Sequence, residues 1–199
     1  MRAPLKLAAE PWAYLGADEA IDVEHDLIVS TAASMRTGDD AAYAKAVFEF
    51  VRDEISHSPD AGDRRLTWRA SDVLRERTGL CYAKAHLYVA LLRAGGVEAG
   101  LCYQRLTEDG SAFVLHGLAA VLLEDHWVRV DPRGGEAGKG VEFSATEDRL
   151  VYTVRPELGE VDYLTVYASP VPAVLKALQS HDDCLALCEE GGLPSALEE

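Results

Sequence analysis

The segment from Gly79 to Gly96 constrains the fold of this 199-residue chain more than any other part of it. When its residues are placed at about 3.6 per turn, the segment is apolar around most of its circumference. It therefore predicts a helix of about four turns that lies inside the protein rather than on its surface. Gly95 and Gly96 end this helix, because a glycine pair permits the left-handed conformation common at helix C-termini.

Helical patterns come before this segment and strand patterns come after it, which predicts the α+β class rather than parallel α/β. The predicted helices that precede it are Glu24–Met35, Asp40–Ile55 and Asp72–Arg77, the last with Ser71 as its N-cap. The predicted strands that follow it are Val97–Leu106, Phe113–Leu123 and His126–Val130, with turns at Glu108–Gly110 and Glu124–Asp125. The three strands would form an antiparallel meander on which the central helix packs.

The remaining segments give weaker patterns. We expect irregular structure in residues 1–20, a loop in residues 57–69, and a second loop in residues 134–140. A further short strand is predicted at Val151–Val154, and a last helix at Pro172–Cys188.

The composition is that of a globular protein, with 48% hydrophobic and 27% charged residues. Its length suits a single domain covering residues 1–199, with a core at about 39–133 and a C-terminal extension at 134–199. Between Glu157 and Glu199 there are nine acidic residues and a single basic one, Lys176. This acidic end is best explained as a solvated surface that aids solubility.

Charge and hydropathy narrow the classes of partner. The formal net charge of −15 leaves no basic face for phosphate groups, so nucleic acid is not an expected partner. No apolar run reaches the roughly 18 residues that a membrane span needs, and the N-terminus lacks a secretory signal. Without such a signal the four cysteines do not suggest a disulfide framework. A cytoplasmic location with reduced thiols is therefore expected.

Cys81 stands in the first turn of the predicted central helix. The unpaired N–H groups and the helix dipole at that end favour a thiolate, which is the nucleophilic form of cysteine. The same N–H groups can bind the oxyanion of a tetrahedral intermediate. Taken alone, however, a cysteine at this place is better explained as a small side chain packed at a helix end.

His116 and Asp131 become candidate catalytic residues only when the predicted strand pairing is considered. Separately, the first resembles a core histidine and the second a turn residue before proline. If the Glu124–Asp125 turn joins the two strands, residues 115–117 face residues 130–132, and Asp131 lies beside His116. A carboxylate that orients an imidazole within reach of a helix-end thiolate is the Cys-His-Asp arrangement of acyl transfer.

These motifs together resemble the transglutaminase-like superfamily, and in particular its small stand-alone bacterial members, which are described as cysteine peptidases or hydrolases. The sequence that carries the resemblance is Gly79-Leu80-Cys81-Tyr82-Ala83-Lys84-Ala85, Leu91-Leu92-Arg93-Ala94-Gly95-Gly96-Val97, His116, Trp127-Val128-Arg129-Val130-Asp131-Pro132, and upstream Phe50-Val51-Arg52-Asp53-Glu54-Ile55. The likeness extends from about Asp39 to Arg133.

The resemblance implies a papain-like α+β core and assigns three catalytic roles: Cys81 as nucleophile, His116 as general base and acid, and Asp131 as the orienting carboxylate. It implies an enzyme that needs neither a metal nor an organic cofactor. Leu80 and Tyr82 stand where animal transglutaminases have Gln and Trp, and no calcium loop is recognisable. Cross-linking in the manner of those enzymes is thus disfavoured.

The expected substrate is a peptide or protein amide, joined by a primary amine acceptor if the acyl group is transferred rather than hydrolysed. Trp68, Tyr82 and Gln104 are candidate substrate-binding residues. No membrane partner is expected, and the sequence leaves the oligomeric state open. For the histidines other than His116 and His181, the sequence indicates no partner; they are His25, His57, His86 and His126.

Three alternatives remain beside this interpretation. The chain could be a catalytically inactive interaction module of the same fold. It could also be an acyl-CoA-dependent acyltransferase of the arylamine N-acetyltransferase kind, although the pattern and the size fit less well. A metal site is conceivable at His181, Cys184 and Cys188, at i, i+3 and i+7. Their spacing matches no common zinc pattern, so an apolar helix stripe is favoured.

Overall fold

The computed structural model describes residues 4–134 and 141–197, and its α+β architecture confirms the predicted fold class. The helices in this part of the chain are α1 Asp26–Met35, α2 Asp40–Glu54, α3 Ala70–Glu76, α4 Cys81–Ala94, α5 Pro172–Gln179 and α6 Cys184–Glu189. The strands are β1 Lys6–Leu7, β2 Ser56–His57, β3 Thr78–Gly79, β4 Ala99–Thr107, β5 Phe113–Leu123, β6 His126–Val130 and β7 Val161–Tyr167.

The main sheet has the strand order β1-β7-β4-β5-β6. Its centre is the predicted antiparallel meander of β4, β5 and β6, and β7 adds to it antiparallel to β4. The turn between β5 and β6 consists of Glu124 and Asp125, which have φ angles of 46° and 65°. Positive φ at both positions is what a two-residue hairpin with the right-handed strand twist requires.

Helix α4 lies in the interior, as its sequence predicts. Every residue from Cys81 to Arg93 is buried, and the helix packs against α1, α2 and α3 as well as β5. The hydroxyl of Tyr43 in α2 donates a hydrogen bond to the Leu91 carbonyl of α4 at 2.6 Å, which links the two helices. Surrounding one helix on all sides removes a large apolar area from water, which is the main stabilising contribution to such a domain.

Arg93, near the C-terminal end of α4, is a buried cation that joins three segments. Its guanidinium donates to the carbonyl of Ala99 at 3.0 and 2.8 Å, of Gly16 at 2.6 Å and of Ala168 at 2.7 Å. These carbonyls belong to the start of β4, the N-terminal segment and the residue after β7. Burial lowers the pKa of Arg93 to about 10, so the side chain remains charged at neutral pH.

Two predicted elements in the last third of the chain are wrong. Residues Val151–Val154 do not form a strand; the strand in this region is β7, which pairs with β4. The predicted helix over Pro172–Cys188 is two helices. The second of them starts because Asp183 accepts hydrogen bonds from the backbone N–H groups of Leu185 and Ala186, as an N-cap does.

The N-terminal half also departs from its predictions. Residues 1–20, expected to be irregular, contain β1 and a 3₁₀ turn at Pro11–Leu15. Ser71 lies inside α3 instead of capping it, and its N–H and hydroxyl both donate to the Asp22 carboxylate. The expected loop at 57–69 begins within β2, which pairs in parallel with β3. Most of the loop expected at 134–140 lies outside the described residues.

Replacing Arg93 with Met should destabilise the fold. The buried carbonyl of Ala99 and the half-buried carbonyls of Gly16 and Ala168 would lose a charged donor, and an unpaired buried polar group costs on the order of 1–3 kcal/mol. We expect the free energy of unfolding in urea to fall by about 3 kcal/mol or more. Arg93→Lys, which keeps the charge but not the planar fork of donors, should give an intermediate value. A loss below about 1 kcal/mol for Arg93→Met would contradict this account.

Candidate active site

Cys81 is the first residue of α4, and its sulfur lies against an edge of β5. The thiol is 8% exposed, and the sulfur accepts a hydrogen bond from the Gly117 N–H at 3.4 Å. That N–H is free to do so because β6 pairs only with residues Ala119–Leu123 of β5. The first half of β5 therefore presents an edge on this side, next to the start of the helix.

Gly117 permits this close approach. A Cβ atom at position 117 would lie 2.6 Å from Cδ1 of Tyr82 and 3.0 Å from its Cα. The second of these contacts is with the backbone of α4, which cannot move aside as a flexible side chain would. Only glycine lets β5 lie directly against the first turn of the helix.

His116 and Asp131 form the pair that their order in the sequence predicts. The Nε2 atom of His116 lies 2.7 Å from Oδ2 of Asp131, and both side chains are buried. Asp131 is held in turn by the backbone N–H groups of Val151 at 3.2 Å and Arg133 at 3.3 Å. The Tyr152 ring packs edge-on against the imidazole at 5.0 Å. With Nε2 engaged by the carboxylate, Nδ1 is the ring nitrogen available to the thiol.

The strand register differs by two residues from the predicted one. Val130 pairs with Ala119, so continuing the register places Asp131 opposite Leu118 rather than opposite His116. The carboxylate reaches the imidazole diagonally, across the two-residue offset that long side chains can span on one face of a sheet. The contact was predicted correctly, but the register behind it was not.

The electrostatics of the pair favour its ionised form. Burial by itself raises the pKa of the Cys81 thiol, but the charge and hydrogen bonding of His116, with a further contribution from His57, lower it to about 6. Burial also disfavours the charged imidazole of His116, yet Asp131 and the Cys81 thiolate raise its pKa to about 10. At neutral pH the sulfur is thus a thiolate beside an imidazolium.

Lys84, one turn after the thiol on α4, is a buried ammonium beneath the site. Its Nζ donates to the carbonyl of Ile55 at 2.6 Å, of Arg133 at 3.1 Å and of Arg52 at 3.4 Å. Burial lowers the pKa of Lys84 to about 8, while the nearby Asp131 carboxylate opposes that change. Lys84 fastens the segment that follows Asp131 to the end of α2.

Cys81 and His116 line a cleft of about 950 Å³. Its apolar walls come from Leu80, Leu106, Phe113, Leu115 and Leu193, and polar side chains from His57 and Tyr82 also line it. Of the three predicted substrate-binding residues, only Tyr82 is among the lining residues. Its hydroxyl donates to the Leu115 carbonyl.

The other two predicted substrate-binding residues lie away from the lining of this cleft. The backbone carbonyl of Trp68 contacts Nδ1 of His86 at 2.8 Å, and the ring packs under the Arg69 guanidinium. Gln104 is fully buried, and its amide donates to the Tyr152 carbonyl and to Asp162, both at 3.4 Å. Gln104 therefore contacts Tyr152, the residue that packs on His116. Contact of Trp68 or Gln104 with a substrate remains a prediction.

The three residues considered for a metal site do not lie on one helix, because α6 begins at Cys184 and His181 precedes it. Over residues 4–134 and 141–197 there is no group of three His, Cys, Asp or Glu side chains arranged to hold a metal ion. None of the helices described there is both long and apolar enough to cross a membrane.

Comparison with known proteins agrees with this fold. The model of the transglutaminase-like superfamily matches residues 29–132, and the chain belongs to that superfamily. No curated protein matches the sequence.

Solved structures with a similar fold include a cysteine protease candidate from Cytophaga hutchinsonii, with 17% identity and a TM-score of 0.52. The alignment covers 62% of this chain and 42% of that one. The periplasmic domain of TgpA from Pseudomonas aeruginosa has 18% identity and a TM-score of 0.47, with coverage of 63% and 48%. This chain thus spans less than half of either structure.

Gly117→Ala should disturb the site more than it disturbs the fold. The added methyl group would push β5 away from α4 and separate His116 from the thiol, so we expect alkylation of Cys81 by iodoacetamide at pH 7 to slow about tenfold or more. Gly100→Ala is the matched control, because a Cβ there would lie 2.6 Å from Val166 and 2.8 Å from the Tyr167 carbonyl, in the same sheet. It should lower the melting temperature while leaving the alkylation rate of the folded protein unchanged. Equal rates for the two variants would refute the special role of Gly117.

Proposed function

We propose that this protein is a thiol-dependent amide hydrolase or acyltransferase in which Cys81 is the nucleophile, His116 the general acid and base, and Asp131 the orienting carboxylate. The observation that carries the proposal is the 2.7 Å contact of Asp131 with His116 beside a helix-end thiol that touches the next residue, Gly117. These are the residue types and relations that nucleophilic acyl transfer needs.

The reaction would proceed in two stages. The Cys81 thiolate bonds to the amide carbonyl carbon, and the carbonyl electron pair moves to oxygen. When the carbonyl re-forms, the C–N bond breaks and the amine leaves with a proton from His116, giving a thioester. Water or a primary amine then gives a proton to His116 and bonds to the thioester carbon, and the C–S bond breaks to restore the thiolate. Water gives hydrolysis, whereas an amine gives transfer.

A peptide or protein is the substrate class that the surroundings of the thiol favour. The cleft has apolar walls suited to the side chains of a peptide. The edge of β5 next to the thiol is already used by this chain, since the Leu115 N–H pairs with the Pro194 carbonyl at 2.8 Å, the Leu115 carbonyl accepts from Tyr82, and the Gly117 N–H binds the Cys81 sulfur. The name of the Cytophaga structure is in keeping with such a substrate. The proposed chemistry requires no cofactor.

Selective alkylation tests the nucleophile. We expect iodoacetamide at pH 7 to label Cys81 at least about tenfold faster than Cys102, which is fully buried in a strand, and Cys81→Ala to remove the fast phase. Peptide mapping by mass spectrometry would identify the labelled residue. Cys102→Ala is the matched control and should keep the fast phase. If the two thiols react at the same rate, the protein is better explained as an inactive interaction module.

The pH dependence of acyl transfer follows from the shifted pKa values of Cys81 and His116. The thiolate forms as pH rises through about 6, and the imidazolium that protonates the leaving group is lost as pH rises through about 10. We therefore expect kcat/KM on a peptide amide to rise with pH near 6, stay level through neutrality and fall near 10. Asp131→Asn should move the upper limb to lower pH, since it removes the charge that raises the pKa of His116. A rising limb near pH 9, the ordinary range of a thiol, would contradict the ion pair.

A further inference from the structure

A second histidine, His57, lies beside the nucleophile. It ends β2, where it pairs in register with Gly79, two residues before Cys81. The Ser58 N–H donates to the Gly79 carbonyl at 3.2 Å and fixes this pairing. His57 also lines the cleft together with Cys81 and His116. The two imidazoles thus line the cleft from different elements, His116 from β5 and His57 from β2.

The Nδ1 atom of His57 lies 3.0 Å from Oδ1 of Asp60, and the Arg133 guanidinium binds Asp60 at 3.1 and 3.3 Å. The approach of Nδ1 to the carboxylate does not have the angles of a hydrogen bond. Because Nδ1 faces Asp60, Nε2 is the nitrogen that can turn toward the cleft. The side chain is 12% exposed, so its orientation is restrained by packing as well.

The three proposed catalytic residues include no side chain that stabilises the oxyanion of the tetrahedral intermediate. When the thiolate attacks, a full negative charge develops on the carbonyl oxygen, and donors must already point at it. The Cys81 N–H is one such donor, since the first N–H groups of a helix have no partner within the helix. His116 is occupied with the leaving group and Asp131. His57 is the remaining histidine that lines the cleft with Cys81, and its imidazole can donate an N–H.

We propose that His57 is a further catalytic residue, which donates a hydrogen bond from Nε2 to the oxyanion of the tetrahedral intermediate. No proton leaves His57 in this step. The Sγ–C bond forms, the carbonyl π electrons become the oxyanion charge, and Nε2–H and the Cys81 N–H hold that charge until the carbonyl re-forms. Asp60, bound by Arg133, lies beside Nδ1 on the other side of the ring. This inference rests on the proposed acyl-transfer function and adds the group that stabilises its transition state.

Two reagents separate this role from a general effect on the thiol. Acylation by p-nitrophenyl acetate passes through an oxyanion, whereas alkylation by iodoacetamide does not. Both rate constants would be measured across pH, and the plateau values compared, so that a change in the pKa of Cys81 does not enter. The variants are His57→Phe and His57→Leu, which remove the donor, and His57→Gln, whose amide N–H can lie near the position of Nε2.

We expect the acylation plateau to fall about 10²–10³-fold in His57→Phe, as it does when an oxyanion donor is removed elsewhere. The alkylation plateau should change less than about threefold, which also reports that the variant is folded. His57→Gln should recover at least about tenfold of the lost acylation rate. His57→Leu gives the same comparison if the Phe variant fails to fold.

The inference is overturned if acylation and alkylation fall together, which would make His57 a residue that only activates the thiol, or if acylation is unchanged. Failure of the proposed function has a different signature. In that case Cys81→Ala releases p-nitrophenol as fast as the wild-type protein does. Acylation that depends on Cys81 but not on His57 would leave the proposed function intact and refute this inference alone.

Discussion

The contact between Gly117 and the first turn of α4 is the constraint on which the rest of the site depends. The N-terminus of the buried helix supplies free N–H groups and the positive end of its dipole to the thiol. These features do not determine which other side chains lie next to the sulfur. The absent Cβ of Gly117 lets β5 touch the helix, so that the Gly117 N–H reaches the sulfur and the preceding residue, His116, becomes its neighbour. This close approach of two backbones brings the start of the helix and the edge of the strand together at the candidate site.

Much of this arrangement follows from local sequence, and what does not follow is long-range. The apolar helix and the bounds of β5 and β6 were predictable from periodicity and turn residues. The contact of Asp131 with His116 was expected from a strand register that is two residues away from the observed one. The strand β7 was missed because its flanking sequence resembles a loop and its partner, β4, lies far away in the chain. The break before α6 was missed because Asp183 was not recognised as an N-cap within an apolar stripe.

Two residues of the candidate site, Lys84 and His57, were overlooked in the sequence, and they show the same difference between local and long-range signals. Lys84 carried a signal, since a lysine inside an otherwise apolar helix must either reach solvent or find buried acceptors. His57 carried none, because its place beside Cys81 depends on the parallel pairing of β2 with β3, two-residue strands separated by a loop and a helix. Pairing of such short strands has no periodicity from which to predict it.

The charges buried at the candidate site give Lys84 a role in the electrostatics of the interior. The thiolate of Cys81 and the carboxylate of Asp131 are negative, whereas the imidazolium of His116 and the ammonium of Lys84 are positive, so the four charges balance. An isolated charge in a protein interior is costly, and balanced charges with saturated hydrogen bonds are much less so. Without Lys84 the cluster would carry a net negative charge. Asp131 and Lys84 interact across the interior, and the carboxylate opposes the effect of burial on the pKa of Lys84. The groups that lower the pKa of the thiol itself are His116 and His57.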